Sequence, residues 1–107
     1  MIGVDIVEIS RFEDKNESFI SRIYSIREIE ELNLRKNQRR TEYLASRFAC
    51  KEAYLKASGK MKTKMSSIET LNDENGKPHI YVDNNEVGEV SISHDTYAIA
   101  IVLLKKE

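Results

Sequence analysis

Glu52 and Lys56 are the first residues of this sequence whose types and spacing suggest chemistry. They lie one helical turn apart near the end of residues 41–59, a stretch of good helix formers that reaches its first glycine at Gly59. At about 100° per residue, Glu52 falls on the apolar side of this helix, beside Phe48. A carboxylate there is costly to desolvate unless a positive group meets it. Two interpretations remain open. One is an ordinary ion pair with Lys56, contributing about 0.2–0.5 kcal/mol; the other is a carboxylate held for a metal ion, with a lysine for an anion.

Asp5 is a second carboxylate in an unusual place. It interrupts an apolar, β-branched run at residues 2–7, where aspartate is disfavoured. Strand alternation puts Gly3, Asp5 and Val7 on one face. The opposite face is apolar and consists of Ile2, Val4 and Ile6. Asp5 is either an ordinary edge-strand aspartate or the partner of Glu52 at a cation.

The elements that must position these residues are one long helix and several strands. Gly59 is placed to end the helix as a left-handed cap, with Lys56 in its last turn. Ser25 and Glu28 have the spacing of a capping box, which predicts the start of an earlier helix. Asn75-Gly76 predicts a hairpin turn. Strands are expected at residues 68–71, 79–82, 89–94 and 97–104. The pattern indicates an α+β fold.

The last strand, residues 97–104, is apolar on both of its faces. Such a strand is expected inside a sheet that is covered on both sides. A chain of this size has few helices to cover two faces. We therefore expect one sheet face to pack against another subunit. A histidine placed like His94, just before this strand, is more often a hydrogen-bonded structural residue than a functional one. We expect His79 to be an exposed strand residue.

Length and composition limit the function classes. The chain has 107 residues, which suits one domain over residues 1–107. Charged residues make up 33% of the chain, but its formal net charge is only −1, so no overall field favours nucleic acid or membranes. The single cysteine, Cys50, excludes a disulfide framework and predicts a reducing, cytoplasmic location. We expect Cys50 to be a packed group and not a nucleophile. No apolar run approaches the roughly 20 residues of a membrane span.

Four segments together resemble a known family. They are IGVDIVEISR at residues 2–11, RFACKEAYLKA at residues 47–57, NGKP at residues 75–78 and SISHD at residues 91–95. The order and spacing of these segments resemble those of the holo-[acyl-carrier-protein] synthases, a family of small phosphopantetheinyl transferases. The resemblance extends over essentially the whole chain. One departure is the segment at residues 60–63, which is basic where the family commonly has a glycine-rich loop.

The resemblance implies a fold and an activity. The expected fold is the 4′-phosphopantetheinyl transferase fold, an antiparallel sheet wrapped around a long helix, assembled as a homotrimer with its sites at subunit interfaces. The expected reaction moves 4′-phosphopantetheine from coenzyme A to a serine of apo acyl carrier protein and releases 3′,5′-ADP. The implied partners are coenzyme A, the carrier protein and further copies of the chain, without nucleic acid or membrane.

The same resemblance assigns the site residues. Asp5 and Glu52 resemble the ligands of a Mg²⁺ ion, with Mn²⁺ as an alternative, and together with Lys56 they are the expected catalytic residues. The residues expected to bind coenzyme A are Arg47, Lys51, Lys56, Gly59 and His94. Lys51 points about 100° away from Glu52 around the helix. The general base stays open between Glu52, Asp5 and a metal-bound water.

The acidic carrier protein is expected to dock on a helix that carries Arg11, Lys15 and Arg22, with Arg11 as the main contact and Arg22 as the second. Exposed charges there would steer its encounter.

Two other functions remain possible alternatives from the residues alone. One is a small α+β nucleic-acid-binding module that uses the basic runs at residues 35–40 and 60–64, although it lacks the aromatic platform of single-strand binders. The other is a purely structural trimer in which Asp5 and Glu52 form ordinary ion pairs.

Overall fold

The computed structural model describes residues 1–105, which form one five-stranded sheet around a long helix. The strands are β1 (Ile2–Glu8), β2 (Ile68–Asn72), β3 (Pro78–Val82), β4 (Asn85–His94) and β5 (Tyr97–Leu104). The helices are α1 (Glu17–Ile23), α2 (Ile26–Leu32) and α3 (Gln38–Ser58), with short 3₁₀ turns at Ile9–Phe12 and Met65–Ser67. The predicted α+β class, long helix and strands are confirmed, and β4 begins earlier than expected.

The sheet has the strand order β1-β5-β4-β3-β2, and every neighbouring pair is antiparallel. The last strand, β5, is therefore interior, as its two apolar faces predicted. One face of the sheet packs on α3, and there Ala98, Ala100 and Val102 of β5 are fully buried. These small side chains let the helix lie close to the middle of the sheet.

Helix α3 ends as the sequence predicted. Gly59 has a φ of 71°, in the left-handed region, and its N–H donates to the carbonyl of Leu55 over 2.9 Å. The helix is buried on more sides than one apolar stripe would require. Polar residues such as Ser46, Arg47 and Lys51 are buried along it as well as the predicted Leu44 and Leu55. The sheet and the shorter helices pack around most of the circumference of α3.

Gly3 allows β1 and α3 to come into backbone contact. A β-carbon on Gly3 would overlap the carbonyl oxygen of Ala53 and would lie 2.7 Å from the backbone nitrogen of Ala57. Only glycine fits at this crossing. The contact fixes which residues of β1 lie beside the last turns of α3, and Asp5 follows two residues later on the same face.

Two hairpin turns connect β2, β3 and β4. The predicted Asn75-Gly76 turn joins β2 to β3, and Gly76 has a φ of 84°. The sequence did not identify the second turn, at Asp83-Asn84. Both of those residues have positive φ, 51° and 68°, which is the geometry of a two-residue hairpin loop. Aspartate and asparagine tolerate this conformation better than other non-glycine residues, which was the available signal.

The outer face of the sheet, away from α3, is apolar and exposed on β1 and β5. Every second residue of each strand lies on this face, and these residues form cross-strand pairs. The pairs are Ile2 with Leu103, Val4 with Ile101 and Ile6 with Ile99. The large apolar side chains exposed there are Ile2, Val4, Ile6, Tyr97, Ile99, Ile101 and Leu103. We call this set the outer apolar face. Among residues 1–105, none of the helices is both long and apolar enough to cross a membrane.

Candidate functional site

Asp5 and Lys56 meet where β1 crosses the end of α3. The Lys56 ammonium donates to Asp5 Oδ1 over 2.9 Å and to the carbonyl of Val4 over 3.1 Å. The side chain of Asp5 is 15% exposed and that of Lys56 is 51% exposed. The two residues are 51 positions apart in the chain. The fold thus brings the unusual strand aspartate to the side of α3 on which a lysine follows Glu52 by one turn.

Glu52 is half-buried and makes no hydrogen bond or ion pair within residues 1–105. The ordinary Glu52–Lys56 ion pair that the spacing allowed is therefore not the arrangement found, since Lys56 turns to Asp5 instead. A half-buried carboxylate without a partner is costly. Glu52 lies one helical turn before Lys56, which contacts Asp5, and the two carboxylates are the kind of oxygen donors that suit Mg²⁺ or Mn²⁺. The residues present fit a hard divalent cation.

Arg47 and His94 line a separate open cleft of about 560 Å³. The cleft lies between the first half of α3 and the β2–β3 hairpin, which contributes Asn72, Gly76 and Pro78 to its wall. His94 is exposed, and within the described residues it has no hydrogen-bond partner. The expectation of a hydrogen-bonded structural histidine is thus wrong for this chain. The cleft offers basic groups suited to an anion.

The guanidinium of Arg47 is anchored within the chain. It donates from Nε to the carbonyl of Thr70 over 3.1 Å and from Nη2 to Asn72 Oδ1 over 2.8 Å. It also stacks on the ring of Tyr43, with 4.4 Å to the ring centroid. These contacts bury most of Arg47 and tie α3 to the end of β2. Arg47 is therefore held in place at the cleft wall, and its positive charge is partly balanced by Glu31, whose Oε1 lies 3.7 Å from Nη2.

Lys51 is a correction to the sequence analysis. It was expected to bind coenzyme A, but its side chain is 0% exposed and its ammonium forms a 2.6 Å ion pair with Glu28. The same ammonium donates to the carbonyls of Met65 and Ile68. All three of its N–H donors are thus used inside the protein. The 100° rotation from Glu52 turns this side chain into the core, where no ligand can reach it.

The Glu28–Lys51 pair was not visible in the sequence because its partners are 23 residues apart. Glu28 also completes the capping box with Ser25, as predicted, and accepts from the N–H of Thr70 over 3.1 Å. Burial lowers the pKa of Lys51 and raises the pKa of Glu28, while the ion pair opposes both shifts. The pair joins α2, α3 and β2 in the interior.

Cys50 is packed, as expected. It is fully buried, and burial raises the pKa of its thiol to about 11, so the reactive thiolate is scarce at neutral pH. Gly59, expected to contact coenzyme A, caps α3 and lines a second open depression together with the basic segment at residues 60–63. No side chain crowds Gly59, since a β-carbon there would meet nothing within 4 Å.

The expected docking residues Arg11 and Arg22 are both exposed, but they do not share one helix. Arg11 lies in the 3₁₀ turn Ile9–Phe12, whereas Arg22 lies in the last turn of α1. Lys15 lies between these elements, with its ammonium 4.7 Å from the centroid of the Phe19 ring. The single docking helix is therefore corrected to a turn followed by a short helix.

Arg35 and Arg39 are cleft residues that the sequence analysis missed. Both line the same cleft as Arg47 and His94. Their basic run was considered only for the nucleic-acid-binding alternative, although four basic residues within six positions were a signal of an anion site. The described residues that line this cleft do not include Asp5, Glu52 or Lys56. One chain therefore holds two separate groups of predicted site residues.

His79 also differs from its prediction as an exposed strand residue. It is half-buried and lies between two carboxylates, with Nδ1 2.9 Å from Glu86 Oε2 and Nε2 2.9 Å from Asp73 Oδ2.

Comparison with known proteins gives consistent matches over the whole chain. Residues 1–102 match the family model described as the 4′-phosphopantetheinyl transferase superfamily. The chain is 44% identical to a holo-[acyl-carrier-protein] synthase of Staphylococcus saprophyticus, covering 97% of this chain and 96% of the relative. It is 40% identical to a protein of the same name from Oceanobacillus iheyensis, over 97% and 94% of the two chains.

The fold also matches a solved structure. A holo-(acyl-carrier-protein) synthase from Bacillus anthracis, in complex with CoA (3′,5′-ADP), superposes with a TM-score of 0.88 at 37% identity. The match covers 99% of this chain and 96% of that protein. The similarity therefore extends through all the elements that position the candidate site.

Proposed function

This chain belongs to the 4′-phosphopantetheinyl transferase superfamily and transfers 4′-phosphopantetheine from coenzyme A to a serine of apo acyl carrier protein, and we propose that Asp5, Glu52 and Lys56 perform this reaction. The other product is 3′,5′-ADP. The observation that most supports these residues is the 2.9 Å contact between Asp5 and Lys56, which joins distant parts of the chain beside the unpartnered Glu52.

Asp5 and Glu52 are the proposed ligands of a Mg²⁺ ion, with Mn²⁺ as an alternative. Both offer carboxylate oxygens, the donors that hard divalent cations take. When bound, the cation would neutralise charge that develops on the phosphate oxygens during transfer. Glu52 has no other partner among residues 1–105, which supports a ligand role for it.

The proposed transfer forms a bond between the carrier's serine oxygen and the β-phosphorus of coenzyme A. The bond from that phosphorus to the bridging pyrophosphate oxygen breaks, and 3′,5′-ADP leaves with the electron pair. The hydroxyl proton passes to a base, for which Glu52 and Asp5 are the candidates within this chain. Lys56 is half-exposed and already held at this place, so its ammonium is suited to stabilise the departing pyrophosphate oxygen.

The cleft lined by Arg47 and His94 is the proposed site of the nucleotide part of coenzyme A. Arg35 and Arg39 add positive charge to the same cleft, which suits the phosphates of 3′,5′-ADP. Arg47 is anchored by Asn72 and Thr70, so it presents its charge without reorganising. Lys51 is not part of this proposal because it is buried.

A homotrimer with shared sites is the proposed assembly. The outer apolar face on β1 and β5 is too large and too regular for a surface that stays in water. In one chain the Asp5–Glu52–Lys56 group and the Arg47–His94 cleft are separate. A second copy packed on the outer apolar face would bring the Arg47–His94 cleft of one chain to the Asp5–Glu52–Lys56 group of the other. The position of His94 supports this, because His94 and Ile6 line a common depression at the end of the face.

The acidic carrier protein is proposed to dock on Arg11 and Arg22, which are exposed on consecutive elements. We also propose that residues 1–107 form one domain, as the single sheet around α3 and the match over residues 1–102 support. The proposed location is the cytoplasm, where the lone, buried Cys50 thiol would stay reduced.

The test of the assignment is a transfer assay with coenzyme A, Mg²⁺ and apo carrier protein, read as the pantetheine mass gain of the carrier. Glu52→Gln keeps the side-chain volume but removes the charge, and we expect it to abolish transfer while the circular dichroism spectrum and the urea midpoint stay close to those of the wild type. Unchanged turnover of Glu52→Gln at saturating Mg²⁺ would rule out Glu52 as a ligand. Glu74→Gln, in an exposed turn, is the matched control and should transfer normally.

A further inference from the structure

His79 joins two strands and a turn through both nitrogens of its ring. Nε2 is 2.9 Å from Asp73 Oδ2 in the turn after β2, and Nδ1 is 2.9 Å from Glu86 Oε2 on β4. Carboxylates that are ionised only accept hydrogen bonds. Neutral imidazole has one N–H and can donate to one of them, whereas protonated imidazole can donate to both. The observed geometry is therefore that of the protonated form.

The surrounding charges favour that form. The hydrogen bonds that His79 donates to Asp73 and then to Glu86 raise the pKa of His79, and His79 in turn lowers the pKa of both carboxyls. Lys77 and Glu89 line the small pocket next to the ring, and Lys77 and Lys105 add positive charge near Glu86. The two carboxylates in direct contact with the ring outweigh these more distant lysines.

Asp73 also organises the turn in which it lies. Its Oδ1 accepts from the N–H of Asn75 over 2.9 Å and from the N–H of Lys77 over 3.0 Å. Its Oδ2 accepts the hydrogen bond from His79 Nε2. One carboxylate thus closes the turn with one oxygen and ties it to the ring with the other. Loss of the ring contact would leave the turn attached to β4 only through the backbone of the hairpin.

This turn is one wall of the cleft that contains Arg47 and His94. Gly76 and Pro78 line the cleft directly. Asn72, at the start of the turn, holds the guanidinium of Arg47 through its Oδ1. The hydrogen bonds of His79 therefore act on the position of the cleft wall and of the residue that anchors Arg47, although His79 itself does not line the cleft.

We propose that His79 is a positioning residue which, when protonated, fixes the turn at residues 72–78 as the wall of the nucleotide cleft and thereby strengthens binding of coenzyme A. This inference rests on the proposed role of the cleft. Raising the pH through the titration of His79 removes one of its two hydrogen bonds, so binding of coenzyme A weakens as the pH rises. The chemical step at Asp5, Glu52 and Lys56 is not affected.

The test compares wild type with His79→Gln, whose amide N–H₂ can donate to one carboxylate only. We expect the KM for coenzyme A of the variant to exceed that of the wild type by about two- to fivefold near pH 6, the size of effect typical of an exposed charged contact. The ratio should approach one at a pH high enough to neutralise His79, and the kcat ratio should stay near one throughout. Because all other residues and coenzyme A itself are the same in both proteins, the ratio isolates His79. A KM ratio that does not change with pH overturns the proposal.

Three further measurements make the result independent of turnover. Calorimetric titration with coenzyme A alone should show the same pH-dependent ratio. Hydrogen exchange in the free protein should show faster exchange at the Asn75 and Lys77 amides in the variant at low pH; equal exchange overturns the proposal. Glu86→Gln, which removes the other carboxylate, should act in the same direction, whereas Glu30→Gln, at an exposed position on α2, should have no effect. If the wild type transfers no pantetheine, the proposed function fails, while the exchange measurement still decides whether His79 holds the turn.

Discussion

Lys51 and Lys56 lie five positions apart on one helix, yet their surroundings give them opposite properties. Lys51 is fully buried and all three of its N–H donors are occupied by Glu28 and two carbonyls. Lys56 is half-exposed and meets Asp5 at the surface. Removing one partner of a buried ion pair leaves an uncompensated charge, whereas a surface pair contributes little to stability. The first lysine is thus expected to stabilise the fold and the second to serve the reaction.

We predict that Lys51→Met, which keeps most of the side-chain volume, lowers the free energy of unfolding by about 3–5 kcal/mol near pH 7 because Glu28 is left unpaired. The unpaired Glu28 would have a folded-state pKa raised above its unfolded value of about 4.3. The core tolerates the neutral carboxyl of Glu28. The loss of unfolding free energy should therefore be smallest at a pH near the unfolded pKa, and it should grow as the pH rises through the folded pKa. Urea denaturation at several pH values measures this, and a loss below about 1 kcal/mol near pH 7 would contradict a stabilising role for the pair.

For Lys56→Ala we predict the reverse pattern. The free energy of unfolding should change by less than about 1 kcal/mol, since the ion pair with Asp5 is partly solvated. The kcat/KM for transfer should fall by about 10²-fold, the effect of losing one donor to a developing negative charge. Steady-state kinetics and urea denaturation on the same preparation measure both quantities. A Lys56→Ala enzyme with normal kinetics would remove Lys56 from the mechanism.

At the scale of elements, the crossing of β1 and α3 places the proposed site. The crossing depends on Gly3, where the strand and helix backbones touch, and on the small residues of β5 behind it. Asp5 reaches Lys56 only because β1 approaches α3 this closely. The position of the carboxylate is thus set by a packing contact that contains no site residue.

We predict that Gly3→Ala lowers the free energy of unfolding by about 1–3 kcal/mol, because the added methyl group overlaps the backbone of Ala53. Transfer activity of the folded fraction should also fall, since the strand must move away from α3 and carries Asp5 with it. Urea denaturation and transfer kinetics measure the two effects. The exposed substitution Glu74→Ala is the control and should change stability by no more than about 0.5 kcal/mol. Full stability in Gly3→Ala would mean that this contact does not determine the crossing.

At the scale of the whole molecule, the outer apolar face supports the proposed homotrimer. Paired apolar residues cover the exposed side of β1 and β5, although the rest of the chain is rich in charge. Water contact with so many large apolar side chains is unfavourable, and association removes it. The separation of the two groups of site residues in one chain points the same way.

Light scattering should give the mass of a trimer for the wild type. We predict that Ile101→Glu, in the middle of the outer apolar face and opposite Val4, shifts this mass towards the monomer and reduces transfer. A carboxylate there would be desolvated in the interface without a partner. Leu34→Glu is the matched control, because Leu34 is 83% exposed but lies outside this face. A wild-type protein that is monomeric at micromolar concentration would contradict the trimer.

Docking of the carrier protein should depend on charge. We predict that Arg11→Glu raises the KM for apo carrier protein and leaves the KM for coenzyme A unchanged, because Arg11 is exposed and is not among the described residues that line the cleft. The wild-type KM for the carrier should rise with salt, and the variant should lose most of this dependence. Transfer assays at two ionic strengths measure it. If the KM for the carrier is unaltered in Arg11→Glu, docking occurs elsewhere.

The sequence alone determined the features that depend on local patterns. The alternation of β1, the glycine cap of α3, the Ser25–Glu28 capping box and the Asn75-Gly76 turn each follow from residues a few positions apart, and all are present in the structure. The family also followed from the sequence, because its motifs are short and ordered. These signals need no knowledge of how distant segments pack.

Only the tertiary structure decided which charged residues are free to act. Whether a lysine on α3 faces solvent or the core depends on what packs around the helix, and Lys51 met Glu28 from α2 while Lys56 met Asp5 from β1. The entry of Arg35 and Arg39 into a cleft and the position of His79 between Asp73 and Glu86 likewise depend on long-range packing. Helical spacing fixes the direction of a side chain, but burial and charge pairing are set by partners that lie far away in the chain.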